Sequence, residues 1–366
     1  MIYLDNGATS FHKPEAVKRA VMWALENCAN PGRGGYRQSN QAARIVVGCR
    51  EQASRLFDCK PEQVVFTSNC THGLNIAIHT LVKPGSRVII TGFEHNAVLR
   101  PLIALKTKIT VVGRKVFDWE DTLSSLENAL KKGADAAVFT HVSNVFGYIL
   151  PIEKMCDLCN QYGVPYIIDA AQSAGYLPLS FADLSAEFVA MPGHKGLLGP
   201  QGTGILLCKG NTQPIIFGGT GSVSASEEMP DFLPDRLEAG TLNVPGIAGL
   251  HEGLSFLLRE GIDKIFRKEM TAAKRLTSAL EELEINSFSG PHQSGTVSFV
   301  MDEDCEIVAQ KLADRGIAVR AGLHCAPLAH KSVGTFETGT VRVSFGLDAT
   351  LAQIKILIDV LKKIKT

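Results

Sequence analysis

The sequence predicts a large doubly wound α/β domain followed by a smaller α+β domain. Between residues 60 and 210, seven short apolar runs alternate with amphipathic helical stretches, as expected for a mostly parallel sheet buried on both faces. Near residue 250 the pattern changes to a long amphipathic helix, two more strands and a closing helix, which is typical of a smaller α+β unit. The chain has 366 residues, which is long enough for two hydrophobic cores.

The seven predicted strands are short and apolar throughout. In chain order they are QVVFTS, SRVIITG, KITVVG, AAVFTHVS, VPYIIDA, AEFVAMPG and GILLCKG, and helical stretches such as PIEKMCDLCNQYG separate them. Residues 249–283 have the pattern of one continuous helix, and GTVSFVM and TVRVSFG have the pattern of strands. We therefore expect a large domain of residues 14–248 and a small domain of residues 1–13 and 249–366. Residues 218–230, rich in Gly and Ser, are expected to form a mobile surface loop.

Composition and charge exclude several classes of protein. Lys plus Arg and Asp plus Glu each number 37, so no overall field attracts nucleic acid or an anionic membrane. The N-terminus lacks the basic and apolar regions of a signal peptide, and no uncharged apolar run is long enough to span a membrane. We therefore expect a cytoplasmic protein that has neither nucleic acid nor a membrane as its partner.

The nine cysteines are scattered through apolar segments, which predicts reduced thiols in a reducing compartment rather than a disulfide framework. Cys156 and Cys159 form a C-x-x-C pattern that would fit redox chemistry or half of a zinc site. No second pair lies nearby, and the surrounding helical pattern favours a packed helix face. No group of His, Cys and Asp residues has metal-binding spacing, so no metal site is expected.

Polar residues follow several of the predicted strands directly. In open α/β sheets ligands bind beyond the carboxyl ends of the strands, so these residues are expected to converge on one crevice. Two of them also begin a predicted helix, where backbone N–H groups and the helix dipole favour an anion. The residues at these strand ends are Cys70, Thr71, His95, Asn144, Asp169, Gln172, His194 and Lys195.

Lys195 stands in the glycine-rich segment MPGHKGLLGPQG, residues 191–202. The glycines are expected to let a flat ligand approach, and partial desolvation is expected to lower the lysine pKa toward the nucleophilic range. Pyridoxal phosphate requires such a lysine, an acidic partner for its pyridine nitrogen and donors for its phosphate. Lys195, Asp169 and the NCTHG turn supply these three. Nucleotide binding is poorly supported, because G-x-x-x-x-G-K-[ST] is missing and GTGILL lacks the third glycine of a dinucleotide loop.

Nine short segments resemble, in their order, those of the cysteine desulfurase and selenocysteine lyase family, which has the class V aminotransferase fold. They are NGATS, FTSNCTHGLN, FEHNA, HVSNVFG, IIDAAQS, GHKGLLGPQG, EAGTLNVPGI, RAGLHCAP and GTVRVSFG. The resemblance covers nearly the whole chain. It implies a pyridoxal phosphate-dependent transferase of fold type I, similar to aspartate aminotransferase, with a mostly parallel seven-stranded sheet in the large domain and a catalytic cysteine loop in the small α+β C-terminal domain.

The resemblance also implies how the cofactor is bound. Lys195 would form the Schiff base with pyridoxal phosphate, Asp169 would pair with the pyridine nitrogen, and His95 would stack on the ring. Gln172 would hydrogen-bond the phenolic oxygen. The phosphate would be bound by Thr71 and His194, together with Thr241 from the partner subunit of a homodimer, and by backbone amides at the helix N-terminus where Cys70 stands.

The substrate-binding residues implied by the resemblance are arginines and an asparagine. Arg342 would hold the substrate α-carboxylate by bidentate hydrogen bonds, with Arg320 assisting, and Asn144 would lie beside the substrate. Two positions depart from the pattern of the most familiar family branch. Pro192 replaces a serine and Cys70 replaces a threonine, so one or two phosphate-binding hydroxyls are missing.

Cys325 is the predicted sulfur nucleophile. Alone among the nine cysteines, it lies in a short polar stretch containing Gly and Pro, RAGLHCAPLAHKSVGTFETGT, where His324 and Arg320 are expected to favour the thiolate. The local sequence leaves a buried structural cysteine as an open alternative, and the resemblance favours the reactive thiol.

The reaction implied by the resemblance is that of a cysteine desulfurase. L-Cysteine would become L-alanine, leaving a persulfide on Cys325 that passes to a sulfur-acceptor protein or thiol for iron–sulfur clusters, thiolated tRNA or cofactors. Lys195 would remove the Cα proton, and His95 is the candidate for handling the thiol proton. The alternatives are a lyase acting on L-selenocysteine, a cyst(e)ine C–S lyase, a transaminase of the same fold, and a sulfur-carrying partner without turnover.

Overall fold

The computed structural model describes residues 1–32 and 34–365 and contains three β-sheets. The strands are β1 (Ile2–Tyr3), β2 (Val64–Thr67), β3 (Arg87–Thr91), β4 (Lys108–Val112), β5 (Ala136–Thr140), β6 (Tyr166–Asp169), β7 (Phe188–Pro192), β8 (Gly204–Cys208), β9 (Asn286–Phe288), β10 (Thr296–Val300), β11 (Ile317–Ala318), β12 (Arg320–Gly322) and β13 (Thr340–Ser344).

The helices flank these sheets. They are α1 (Glu15–Asn27), α2 (Arg37–Phe57), α3 (Cys70–Leu81), α4 (Asn96–Ala104), α5 (Trp119–Lys131), α6 (Ile152–Gln161), α7 (Phe181–Leu184), α8 (Val244–Glu260), α9 (Ile262–Glu282), α10 (Cys305–Ala313), α11 (Pro327–Val333) and α12 (Leu351–Lys365).

The largest sheet has seven strands in the order β2-β8-β7-β6-β5-β3-β4. All neighbours are parallel except β8, which runs antiparallel to both β2 and β7. Strands β5, β6 and β7 are buried at every position, because helices cover both faces and the strands consist of apolar residues. The seven strands predicted from the sequence are therefore confirmed, with boundaries that differ by up to three residues.

Two hydrophobic clusters cover the two faces of this sheet. One cluster contains Phe57, Phe139 and Leu250, and the other contains Leu74 and Val98. Because the parallel strands between these clusters all end at the same edge, the residues that follow β3, β5, β6 and β7 are brought together there.

The long helix predicted for residues 249–283 is wrong in one respect, because it is interrupted. Gly261 adopts a φ of +83°, which ends α8 and allows α9 to begin in a new direction at Ile262. Leu250 and Leu254 of α8 belong to a core cluster of the large sheet, whereas Leu276 of α9 belongs to the core of the small sheet. The domain division at residues 248 and 249 stays a prediction.

The C-terminal part contains a four-stranded antiparallel sheet in the order β12-β13-β10-β9. Strands β10 and β13 and the closing helix α12 correspond to the predicted elements and are confirmed. The sequence analysis missed β9, β12 and the pairing of β1 with β11, because two or three residues are too short for a hydrophobic period. The parallel β1–β11 pair joins the N-terminal segment to the C-terminal part.

Cysteine placement agrees with the sequence analysis. All nine thiols are free, and Cys156 and Cys159 are buried in a core cluster on the packed face of α6. Residues 218–230 contain no helix or strand, as expected for a loop. Within residues 1–32 and 34–365, no helix is long and apolar enough to cross a membrane.

Candidate active site

A cavity of about 220 Å³ lies beyond the carboxyl ends of β5, β6 and β7. Eight of the twelve site residues predicted from the sequence line it, whereas Arg320, Arg342, Cys325 and Thr241 do not. The eight are Cys70, Thr71, His95, Asn144, Asp169, Gln172, His194 and Lys195. The polar residues that follow the predicted strands therefore indicated the position of this cavity from the sequence alone.

The turn that carries Lys195 is held by close backbone packing. A Cβ atom on Gly196 would lie 2.2 Å from the Ala174 carbonyl oxygen, and one on Gly193 would lie 2.1 Å from the Thr203 hydroxyl. These glycines are thus required by neighbouring protein atoms, and their expected part in the approach of a flat ligand stays a prediction. The hydroxyl of Ser10 lies 3.0 Å from the carbonyl oxygens that precede and follow the Lys195 Cα.

The Lys195 amine lies in an environment that disfavours its charge. Burial lowers the pKa of Lys195, the positive charges of Arg342 and Arg320 lower it further, and Cys70 and Asp169 act in the opposite direction. A lowered pKa increases the fraction of neutral, nucleophilic amine near neutral pH. This agrees with the direction expected from the sequence.

Asp169 ends β6 and is 3% exposed. Its Oδ1 accepts a 2.9 Å hydrogen bond from the Ala171 N–H. The same oxygen accepts a longer hydrogen bond from the Cys70 thiol, with Sγ at 3.6 Å. Burial raises the pKa of Cys70 well above its usual range, and the Asp169 charge adds to this effect. The Cys70 side chain is therefore a neutral thiol that faces the carboxylate, and its backbone N–H is the group available to an anion.

The first turn of α3 forms one end of the cavity. The Asn69 side chain caps the helix by accepting a 2.8 Å hydrogen bond from the His72 N–H. The N–H groups of Cys70 and Thr71 belong to the turn whose donors have no partner within a helix, which makes this end suited to an anion. Opposite, His194 Nδ1 lies 3.0 Å from the Thr9 hydroxyl, and burial together with the Lys195 charge lowers the pKa of His194 to about 4.

His95 caps helix α4. Its Nδ1 accepts a 3.0 Å hydrogen bond from the Ala97 N–H, so the neutral ring carries its proton on Nε2. Burial lowers the pKa of His95, and the positive charge of Lys195 contributes in the same direction, whereas Asp169 opposes it. His95 is therefore a neutral ring that can donate a hydrogen bond through Nε2.

Glu94 is a buried carboxyl group that the sequence analysis missed, although it directly precedes His95. Its Oε1 accepts hydrogen bonds from the Thr91 hydroxyl at 2.7 Å and from the Thr140 N–H at 2.9 Å. These contacts tie the end of β3 to the end of β5. Burial raises the pKa of Glu94 to about 8, so the group is mostly protonated at neutral pH. Glu94 fixes the point at which α4, and thus His95, leaves the sheet.

Cys325 is exposed and lies in a loop tethered to the wall of the cavity. The Asn144 side-chain amide donates a 2.7 Å hydrogen bond to the His324 carbonyl, and the Asn96 N–H donates a 2.7 Å hydrogen bond to the Cys325 carbonyl. His324 and Cys325 both have positive φ angles, +48° and +58°, which non-glycine residues rarely adopt. The loop is therefore short and anchored on both sides of the cysteine.

The predicted role of His324 as a cationic neighbour of Cys325 is wrong. The His324 ring is buried, and its Nε2 lies 3.1 Å from the Thr340 hydroxyl and 3.2 Å from the Thr340 carbonyl. Burial, with the Arg342 charge, lowers the pKa of His324 to about 2. His324 is neutral at physiological pH, because its ring packs inward while its carbonyl faces Asn144.

The remaining predicted residues, Arg342, Arg320 and Thr241, do not line the cavity. Arg342 lies on β13, is 2% exposed, and donates a 2.9 Å hydrogen bond to the carbonyl of Asn144, which lines the cavity. Arg320 is exposed on the neighbouring β12, and both arginines bind Asp5, which the sequence analysis missed. Thr241 is exposed and outside the cavity of its own chain, so its predicted phosphate contact requires a second copy of the chain.

Asn144→Ala is expected to loosen the Cys325 loop. Loss of the hydrogen bond to the His324 carbonyl leaves that buried carbonyl unpaired and should destabilise the protein by about 1–3 kcal/mol. The rate of Cys325 labelling by a thiol reagent should rise, as followed by peptide mass. Asn27→Ala also removes a hydrogen bond from an asparagine side chain to a backbone carbonyl, that of Trp23, which is exposed and does not line the cavity, and it should leave the labelling rate unchanged. Equal labelling rates in both variants would show that Asn144 does not restrain the loop.

The residues of the cavity fit pyridoxal phosphate. They comprise an amine with a lowered pKa at Lys195, a buried carboxylate at Asp169, and the N-terminus of α3 as an anion site. His95 and Gln172 also line the cavity, and the Gln172 amide is oriented by a 3.0 Å hydrogen bond to the Gly7 carbonyl.

Comparison with known proteins agrees with this fit. Residues 2–357 match the family model described as Aminotransferase class-V. A "Probable cysteine desulfurase" from Pyrococcus abyssi is 32% identical over 380 residues, covering 100% of this chain and 94% of the relative. Another "Probable cysteine desulfurase", from Methanothermobacter thermautotrophicus, is 31% identical over 378 residues, covering 99% of this chain and 94% of the relative.

A solved structure has the same fold over nearly the whole chain. The apo structure of a cysteine desulfurase from Thermococcus onnurineus NA1 superposes with a TM-score of 0.93 at 33% identity, covering 99% of this chain and 94% of that one. The predicted fold type I architecture, with its mostly parallel seven-stranded sheet, is confirmed. The chain belongs to the class-V aminotransferase family and, within it, to the pyridoxal phosphate-dependent enzymes of the cysteine desulfurase group.

Proposed function

We propose that this enzyme converts L-cysteine to L-alanine and transfers the sulfur atom to Cys325 as a persulfide. The observation that carries the proposal is the position of the Cys325 loop. An exposed thiol is attached through Asn144 and Asn96 to the wall of a cavity that contains Lys195. A transaminase would have no use for a thiol held at this place.

Lys195 and Asp169 supply the acid–base and electrostatic part of the reaction. Bound pyridoxal phosphate supplies an aldehyde for the amino group and an electron-poor ring that stabilises negative charge at Cα. Asp169 keeps the pyridine nitrogen protonated, because a buried carboxylate favours a nearby positive charge. Lys195, with its lowered pKa, removes the Cα proton and returns it as a general acid, a role worth about 10²–10⁴-fold.

The atoms and electrons of the sulfur-transfer step balance, so the step needs no added oxidant. The Cys325 thiolate attacks the sulfur of L-cysteine, the Cβ–S bond breaks with its electron pair going to Cβ, and an S–S bond forms. Cβ gains a proton, which equals the one that Cys325 released, so the products are alanine and the Cys325 persulfide. His95, which lines the cavity, is the proposed group for handling the thiol proton that Cys325 releases, so that the proton is passed on and the ring ends in its neutral state.

Several partners follow from the same proposal. L-Cysteine binds with its carboxylate at Arg342 and Arg320, and Asn144 lies beside it.

Thr241 completes the phosphate site of a second copy in a homodimer. An acceptor protein or thiol takes the persulfide sulfur directly at the surface, because Cys325 is exposed and its loop is short. Nine free thiols fit a reducing, cytoplasmic setting.

The test is a single incubation of the purified protein with L-cysteine and a reductant. We expect alanine and sulfide in equal amounts, and a mass increase of one sulfur atom on the Cys325 peptide when the reductant is omitted. Pyruvate in place of alanine would instead indicate a C–S lyase. Turnover of L-selenocysteine but not L-cysteine would identify a selenocysteine lyase, and amino-group exchange with a 2-oxo acid would identify a transaminase.

A further inference from the structure

Two arginines face each other beside the cavity. Arg320 on β12 and Arg342 on β13 are directly paired in the antiparallel register. Like charges at such opposed positions repel and destabilise a sheet. The repulsion is strongest where one member is withdrawn from water, and the Arg342 side chain is only 3% exposed whereas that of Arg320 is 49% exposed. This pair therefore requires an anion.

The N-terminal segment supplies that anion as Asp5. Its Oδ1 lies 2.8 Å from Arg342 Nη2, and its Oδ2 lies 3.1 Å from Arg320 Nε. A single carboxylate thus bridges both guanidinium groups, and its side chain is 13% exposed. The position of Asp5 is set by a β-bridge to Ser344, two residues after Arg342 on the same strand.

Asp5 leaves the group of three residues with one uncompensated positive charge. Arg342 Nη1 donates to the Asn144 carbonyl, which brings no charge, and Arg342 Nε has no hydrogen-bond partner among the described residues. Two positive charges and one negative charge give a net charge of about +1 at neutral pH. One further carboxylate would bring the group to neutrality, and a second would bring an excess of negative charge.

We propose that Asp5 is a specificity-determining residue that limits the Arg342–Arg320 pair to amino acids with one carboxylate. The proposal rests on the proposed function, in which this pair receives the substrate α-carboxylate. Asp5 already holds Arg320 through Nε and Arg342 through Nη2, and its negative charge repels a second substrate carboxylate. Dicarboxylic amino acids such as L-aspartate are therefore disfavoured, whereas L-cysteine and L-alanine, whose side chains are uncharged, are accepted.

The test measures binding without turnover. L-Alanine and L-aspartate are titrated into the holoenzyme, and binding is followed by the visible absorbance of the cofactor. In Asp5→Asn, the affinity for L-aspartate relative to L-alanine should rise by about fivefold to tenfold, because the net charge becomes +2. The double variant Asp5→Asn with Arg320→Gln returns the net charge to +1 and should restore most of the original preference. Asp348→Asn, which removes a carboxylate paired with His12 instead, should change nothing.

Thermal unfolding of the same variants gives a second readout that needs no ligand. Asp5→Asn should lower Tm because the arginines then repel each other, and Arg320→Gln in that background should recover most of the loss, as expected for coupled residues. A lower Tm with an unchanged alanine-to-aspartate preference would overturn the proposal and leave Asp5 a purely structural bridge. Failure of the protein to release sulfur from cysteine would refute the proposed function, and these binding and unfolding results would still be interpretable.

Discussion

Lys195→Ala is expected to abolish the formation of alanine from L-cysteine. The side chain supplies both the amine that binds the cofactor aldehyde and the base for the Cα proton, so the loss should reach roughly 10²–10⁴-fold or more. Borohydride treatment followed by peptide mapping provides the measurement. The wild-type peptide around Lys195 should carry a pyridoxyl mass, and the variant should carry none.

The matched control for this prediction is Lys209→Ala. Lys209 is a surface lysine whose amine lies 3.6 Å from Glu187, and removing it should leave both the pyridoxyl mass and the rate of alanine formation unchanged. If the wild-type protein carried the pyridoxyl mass on another lysine, the reaction scheme that begins at Lys195 would have to be abandoned.

Cys325→Ser is expected to stop alanine formation while leaving the binding of L-cysteine intact. A serine hydroxyl does not accept a sulfur atom, so the Cβ–S bond has no productive route to cleavage, and turnover should fall by at least about 10²-fold. The variant should keep its folding stability, because Cys325 is exposed and its loop is held through backbone carbonyls. Alanine release and the absorbance change on adding L-cysteine are measured side by side.

Cys28→Ser is the control for Cys325→Ser, because Cys28 is a half-buried thiol at the end of α1 and does not line the cavity. It should turn over L-cysteine at the wild-type rate. Unchanged alanine formation in Cys325→Ser would exclude Cys325 as the nucleophile, whatever the behaviour of Cys28.

The sequence by itself determined the central sheet and the cavity at its edge. Five of the seven strands, β2, β5, β6, β7 and β8, are buried at every position, so each is a continuous apolar run. The polar residues that follow such runs mark the carboxyl ends of the parallel strands. For this reason Asp169, Asn144 and Lys195 were correctly expected to meet. The start of α3 at Cys70 was equally predictable, because it depends on a local Asn69 cap.

Only the tertiary structure decided how the charges around this cavity are paired. Asp5 lies more than three hundred residues from Arg320 and Arg342, and the salt bridges exist because β13 brings all three together. The neutral state of His324 is decided in the same way, by burial against Thr340. The local sequence shows which side chains can ionise. Their desolvation and charge pairing depend on distances in space, and these distances are set only when remote segments pack together.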